Sequence, residues 1–177
     1  MQPSEPSSIH PVDQLIVRLV HDPATAATSA DIAAIVARMA IAPFSRHLLR
    51  APARDRGLTY GGIVIGRRTD SLDYHLVKRV RDEFQWSEGT TATDYLLDLH
   101  AGVQDPRARV LVFARPGDIV AATISATSTA VPLARRGTEW HEDLLVVYSA
   151  LHGVLKTGYM FSGIDKLDLP EDIRWLK

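Results

Sequence analysis

The chain of 177 residues contains no cysteine, which removes disulfides, thiolate nucleophiles and Cys-based zinc sites and fits a reducing interior. Aromatic side chains make up only 7% of it, too few for a broad platform on which successive bases stack. An excess of one charge is lacking too. The formal net charge of -1 excludes coating of a polyanion by bulk charge, so any phosphate-binding surface must be local. No apolar run approaches the roughly 20 residues that span a bilayer, and the opening MQPSEPSSIHP has neither the basic nor the apolar region of a signal peptide. The expectation is a cytoplasmic protein with no membrane contact. His10, His21, His47, His100, His141 and His152 fall at no metal-ligand spacing, and Gly57, Gly61, Gly62 and Gly66 are followed by no Lys-Ser or Lys-Thr of a phosphate loop. Ser149 lacks the flanking glycines of a nucleophile elbow. Neither a metal nor a cofactor is expected.

What is present is enough apolar material, 46%, for one proper core with an appended segment. Residues 1–11, rich in proline and serine, read as a flexible lead-in. Residues 12–56 read as an N-terminal helical segment: a short helix over Val12–Val20, then a stripe of Ile32, Ile35, Val36 and Met39 that Pro43 ends, then the basic stretch FSRHLLRAPARDR. Residues 57–177 form the remaining α+β domain. Its first helix, Leu72–Phe84, carries Leu72, Leu76, Val80 and Phe84 in steps of four behind a capping Asp70 or Ser71. A second helix opens at Thr90-Thr91 and stops at Asp105-Pro106. The period then changes to that of strands: Arg109–Ala114 and Ile119–Thr127 around the turn Arg115-Pro116-Gly117-Asp118, then Leu144–Ser149 and Val154–Met160. Pro170 with Glu171 and Asp172 predicts a short closing helix that docks Ile173 and Leu176. The order predicts N-terminal helices packed on a four-stranded antiparallel sheet, with the other sheet face free for a ligand.

On the first of these helices, steps of 100° place His75, Lys78 and Arg79 together on an exposed edge, away from the apolar stripe. A histidine exchanges protons near neutral pH, and two fixed cations beside it stabilise a phosphorane or hold a phosphate. The same pattern also describes a solvated charged face. Period two puts Leu155, Thr157 and Tyr159 on one face of the last strand, and Thr123, Ser125 and Thr127 on one face of the second. A hydroxyl-lined face suits ribose and phosphate, and is equally an ordinary wet face of an antiparallel sheet. Between Arg46 and Arg81 stand nine basic residues (46, 50, 54, 56, 67, 68, 78, 79, 81) against three aspartates (55, 70, 73). Such a local excess binds a polyanion, or pairs with the acidic tail at Asp168, Glu171 and Asp172.

The run LDYHLVKRVRDEFQWSEGTTATDYLLDL resembles a pairing found in the barnase–EndoU–colicin–RelE-like ribonucleases, a superfamily of toxins and phage-associated proteins. There a Leu-x-x-His-x-x-Lys-(basic) helix is followed by a Thr-capped helix with a Tyr-Leu pair. The segment LLVVYSALHGVLKTGY is similar to the closing hairpin of such enzymes. The resemblance covers roughly residues 70–160 and implies a metal-independent endoribonuclease leaving a 2′,3′-cyclic phosphate, with RNA as substrate and an inhibitor, antitoxin or immunity protein as partner. It implies His75 as general base or acid, Lys78 and Arg79 at the scissile phosphate, and Thr157 and Tyr159 completing the site from the sheet. Arg67, Arg68, Thr123 and Ser125 are the expected substrate-binding residues. Arg79 stands where these proteins often have a second histidine, and an arginine does not shuttle protons. The rival reading is a catalytically silent adaptor or regulatory module that binds protein or nucleic acid.

Overall fold

The computed structural model describes residues 9–177, so residues 1–8 of the expected lead-in lie outside the described residues. Helix α1 (Pro11–His21) begins with a proline at its first position, where no amide partner is needed, and the His10 ring accepts from the Val12 amide. Helix α2 (Ser29–Ala40) opens with a reciprocal capping box between Thr28 and Asp31. A ribbon of β1 (Leu48–Arg50) and β4 (Arg68–Asp70) follows, enclosing the small hairpin β2 (Thr59–Tyr60) and β3 (Ile63–Val64). Asp70 ends β4 and caps α3 (Ser71–Val77) by accepting from the Leu72 and Asp73 amides. Helix α4 (Ala92–Gln104) carries a second capping box, Thr91 with Asp94.

The main sheet has five antiparallel strands rather than four: β5 (Arg109–Arg115), β6 (Asp118–Ala126), β7 (Asp143–Ser149), β8 (Val154–Phe161) and β9 (Arg174–Trp175), in spatial order β8-β7-β6-β5-β9. The helices are not confined to the N-terminus, since α3 and α4 follow the ribbon and the one-turn helix α5 (Thr127–Ala130) separates β6 from β7. The two hairpins fall where the turn chemistry places them. The closing helix does not form: Val110 exchanges bonds with the last residues, its amide donating to the Lys177 carbonyl at 3.0 Å and its carbonyl accepting from Leu176 at 2.8 Å. Strand β5 would otherwise leave those groups bare, and satisfying them outweighs the weak helix signal at Pro170.

Both sheet faces are buried. On one, Val110, Val112, Leu144, Val146 and Leu155 pack beneath α1 to α4. On the other, Leu111, Phe113, Val120, Leu145 and Phe161 lie under Ile164, Leu167, Leu169 and Ile173 of the C-terminal segment. The face expected to stay free is therefore closed, because a strand pair with apolar residues at every position has no wet side to offer. Helix α1 is also tied to the sheet through a polar contact. The buried Tyr148 hydroxyl of β7 donates to Asp13 at 2.6 Å, and Arg38 of α2 donates to the same carboxylate at 3.0 Å.

Helix α4 lies close on the sheet because two glycines clear its path. A side chain at Gly158 of β8 would run into both methyls of Leu99, and one at Gly102 would stand 2.7 Å from a Leu144 methyl. Gly158→Ala is expected to cost about 1–3 kcal/mol of stability by overpacking. Adding Leu99→Ala should recover part of that loss, a coupling that denaturant melts of the two single variants and the double would read. Additive losses would mean that Leu99 is not what occupies the space.

Candidate functional site at the β8 edge

Strand β8 ends one side of the sheet, and its outward backbone groups are met by a single parallel bridge at Phe44 and by side chains from the helical layer rather than by a further full strand. Leu155 bonds to Pro43 and Ser45 of the segment before β1, each at 2.8 Å. The Gly158 carbonyl accepts from Tyr95 of α4 at 2.7 Å and from Arg79 Nε at 2.9 Å, and the Gly158 amide donates to Tyr95 Oη at 3.2 Å. Met160 exchanges two bonds, at 2.9 and 2.8 Å, with the amide of the buried Gln85 side chain. Burial pushes the Tyr95 phenol up to about 12, so its hydroxyl keeps the proton that it donates.

This closure brings His75 and Arg79 onto Thr157. His75 Nδ1 lies 3.3 Å from Thr157 Oγ1, and Arg79 Nη2 donates to the same oxygen at 3.2 Å. The Arg79 guanidinium also pairs with Glu83 and stands 5.1 Å from the centre of the Tyr159 ring. Four of the five expected catalytic residues are thus in one place. The expected exposure is not found: Arg79 is only 6% exposed. After Val77 the helix widens into a π turn over Lys78–Asp82. There the 100° step no longer holds, and Phe84, at φ 51, turns the chain out to solvent instead of extending the stripe.

Lys78 does not join the cluster. It faces Asp55 at 3.5 Å and Glu83 at 3.9 Å. Burial alone would raise the Asp55 carboxyl, but the Tyr74 hydroxyl at 2.6 Å and the Lys78 ammonium bring it below its ordinary value. Thr123 and Ser125 are also elsewhere, buried beside α4 in the rows of Val146 and Leu144, with both hydroxyls closed off from solvent. Thr157 and Leu155 do not share a side: a bulge inserts Lys156, so that Leu155 pairs with Tyr148 and Thr157 with Val147. Arg67 and Arg68 are exposed on the β1/β4 ribbon. Among the described residues, no tail acid lies within ion-pair distance of the basic segment, whose pairs are made locally, as Arg46 with Asp70 at 2.9 Å and Arg81 with Glu88.

The sequence reading misses Phe44, Tyr74, His47 and Lys156. The rings of Phe44 and Tyr74 close on the His75 imidazole at 5.7 and 5.2 Å between centroids. Burial is the main reason that the imidazole is held far below its ordinary value, to about 3, and the charges of Arg79, Lys78, His47 and Lys156 add to it. Lys156 was legible as the neighbour of Thr157. No local pattern marks Phe44 or His47 as companions of a helix about 30 residues later. Among the described residues, no three His, Cys, Asp or Glu side chains converge as metal ligands, and no helix is long and apolar enough to cross a membrane.

His75 is neutral in the fold, whereas once unfolded it titrates near 6.5. Between that value and about 3 the unfolded chain binds the extra proton, so stability falls as the pH is lowered through this window, by at most about 1.4 kcal/mol per pH unit. His75→Gln is expected to lose less stability than the wild type between about pH 7 and about pH 4, measured as urea midpoints. Parallel curves would mean that the imidazole is charged in the native state. Comparison with known proteins finds no family model, curated protein or solved structure that matches this chain.

Proposed function

We propose that the chain is a metal-independent endoribonuclease-like domain that cleaves RNA to a 2′,3′-cyclic phosphate. The observation that carries this reading is the His75–Thr157–Arg79 cluster. It joins a neutral imidazole, a hydroxyl and a fixed cation from elements about 80 residues apart, at the two places the resemblance implies. In this reading Nδ1–H of His75 donates to the Thr157 hydroxyl, leaving Nε2 as the acceptor for the ribose 2′-hydroxyl proton. The 2′ oxygen then bonds to the adjacent phosphorus as the bond from phosphorus to the 5′ oxygen breaks, and the departing oxygen takes its proton from water. The Arg79 guanidinium stabilises the charge that builds on the phosphoryl oxygens. Tyr159 holds that guanidinium by its ring and is not a base, since burial raises its phenol. Lys78 belongs in this account to the Asp55 pair that supports the helix. RNA is the substrate, and an inhibitor, antitoxin or immunity protein would be the natural partner of such an activity in a toxin or phage setting.

A second reading, a silent adaptor or regulatory module, is favoured by one observation. Arg79 divides its guanidinium among the Gly158 carbonyl, Glu83 and Thr157, which leaves it little to offer a phosphate. Incubating wild type and His75→Ala with mixed RNA in EDTA separates the two readings. Cleavage that ends in cyclic phosphates and drops by about 100-fold or more in the variant is expected, with Thr157→Val losing about tenfold. Circular dichroism and a His75→Gln control guard against misfolding. Cleavage unaffected by the substitution sinks the catalytic reading, and its absence in the wild type supports the silent module.

A further inference from the structure

We infer that Arg50, Arg67 and Arg68 form a subsite for the phosphate backbone of single-stranded RNA, outside the His75 cluster. All three are exposed and together line one depression of about 380 Å³ on the β1/β4 ribbon. Arg50 and Arg68 are direct partners in the register, an arrangement in which like charges repel across the ribbon. Among the described residues no carboxylate lies within 4.0 Å of any of the three, although Arg46, Arg54, Lys78, Arg79 and Arg81 of the same basic segment all have one. A fold that pairs most of its local cations but sets these three side by side, unneutralised, keeps a site for an anion. Three guanidinium forks around one hollow match phosphodiester oxygens, which they bind bidentately, better than they match an isolated carboxylate.

The position of the ribbon extends the ribonuclease reading, on which the choice of RNA rests. Asp70, the last residue of β4, is the cap of α3, and the His47 carbonyl accepts from the Ser71 amide at 3.0 Å. From Asp70 the ribbon runs about 7 Å back to Arg68, and α3 runs about 7.5 Å forward to His75. A strand bound across both points therefore needs only a few nucleotides. These contacts go to the backbone and carry no sequence preference.

The test uses a 2′-O-methyl RNA oligonucleotide, which lacks the attacking hydroxyl and so reports binding without cleavage, read by fluorescence anisotropy. Arg50→Gln/Arg67→Gln/Arg68→Gln is expected to weaken binding at least tenfold and to reduce the slope of log K against log salt by about 2, roughly 0.7 for each lost phosphate contact. The effect should be equal for oligonucleotides of unrelated sequence, and Arg107→Gln/Arg109→Gln should bind as the wild type does. Thermal melts should show the triple variant no less stable than the wild type, because removing facing charges relieves repulsion. Unchanged affinity and slope, absence of binding by the wild type, or equal binding of poly-glutamate would overturn the assignment. If cleavage fails while the arginine effect stands, the ribonuclease reading falls alone; if cleavage depends on His75 while binding ignores the arginines, the subsite falls alone.

Discussion

The open edge of β8 is the constraint on which much of this molecule depends. A terminal strand carries backbone donors and acceptors that must find partners once buried, and each one left bare costs on the order of 1–3 kcal/mol. Here the partners are Tyr95, Arg79, Gln85 and the backbone at Pro43 and Ser45. Meeting that demand fixes several features at once. Helix α4 must lie low enough for the Tyr95 hydroxyl to reach Gly158, which is why positions 102 and 158 have no side chains. The turn after α3 must bring both Arg79 and Gln85 to the same strand, and the π geometry with a left-handed Phe84 accomplishes this within seven residues. The cluster at Thr157 follows from the same closure.

Burying the Arg79 guanidinium is costly unless its donors are engaged, and the structure engages them with a carbonyl, a carboxylate, a hydroxyl and an aromatic face. A fixed, desolvated cation of this kind sets the electrostatics of its neighbours. Of the charges acting on His75 it is the strongest, adding to the burial that keeps the imidazole neutral, and it works against the burial of the Tyr159 phenol. Neutral imidazole and permanent cation share one hydroxyl between them. The imidazole is therefore open to a proton, but the burial and neighbouring cations that keep it neutral also weaken it as a base.

Much of the fold could be read from local pattern. The capping signal at Thr91, the Pro116-Gly117 turn and the alternation from Arg109 to Met160 each act over a few residues, and each places its element correctly. What escaped is what depends on partners distant in sequence. The C-terminal residues Arg174 and Trp175 are a strand only because β5 lies beside them. The bulge at Lys156 is invisible in an alternating sequence, yet it separates Leu155 from Thr157. The burial of Thr123 and Ser125 follows from helices that cover the sheet face they occupy, not from their own composition. At the site, the meeting of His75 and Arg79 with Thr157 joins elements about 80 residues apart that no local pattern links, and the direction of Lys78 was decided by Asp55, 23 residues earlier.

The two ends of the main sheet are closed by different means, helix side chains at β8 and the two-residue strand β9 at β5. Arg174 secures the second closure by donating to carbonyls at Leu19, Asp22 and Thr25. A sheet finished at both sides gives an extended peptide little backbone to join, and so strand addition, a common way of recognising another chain, is largely shut off. At the main sheet, recognition is then left to side chains. Its selectivity is then set by charge and shape at the surface and can change through substitutions that leave the five-stranded frame untouched.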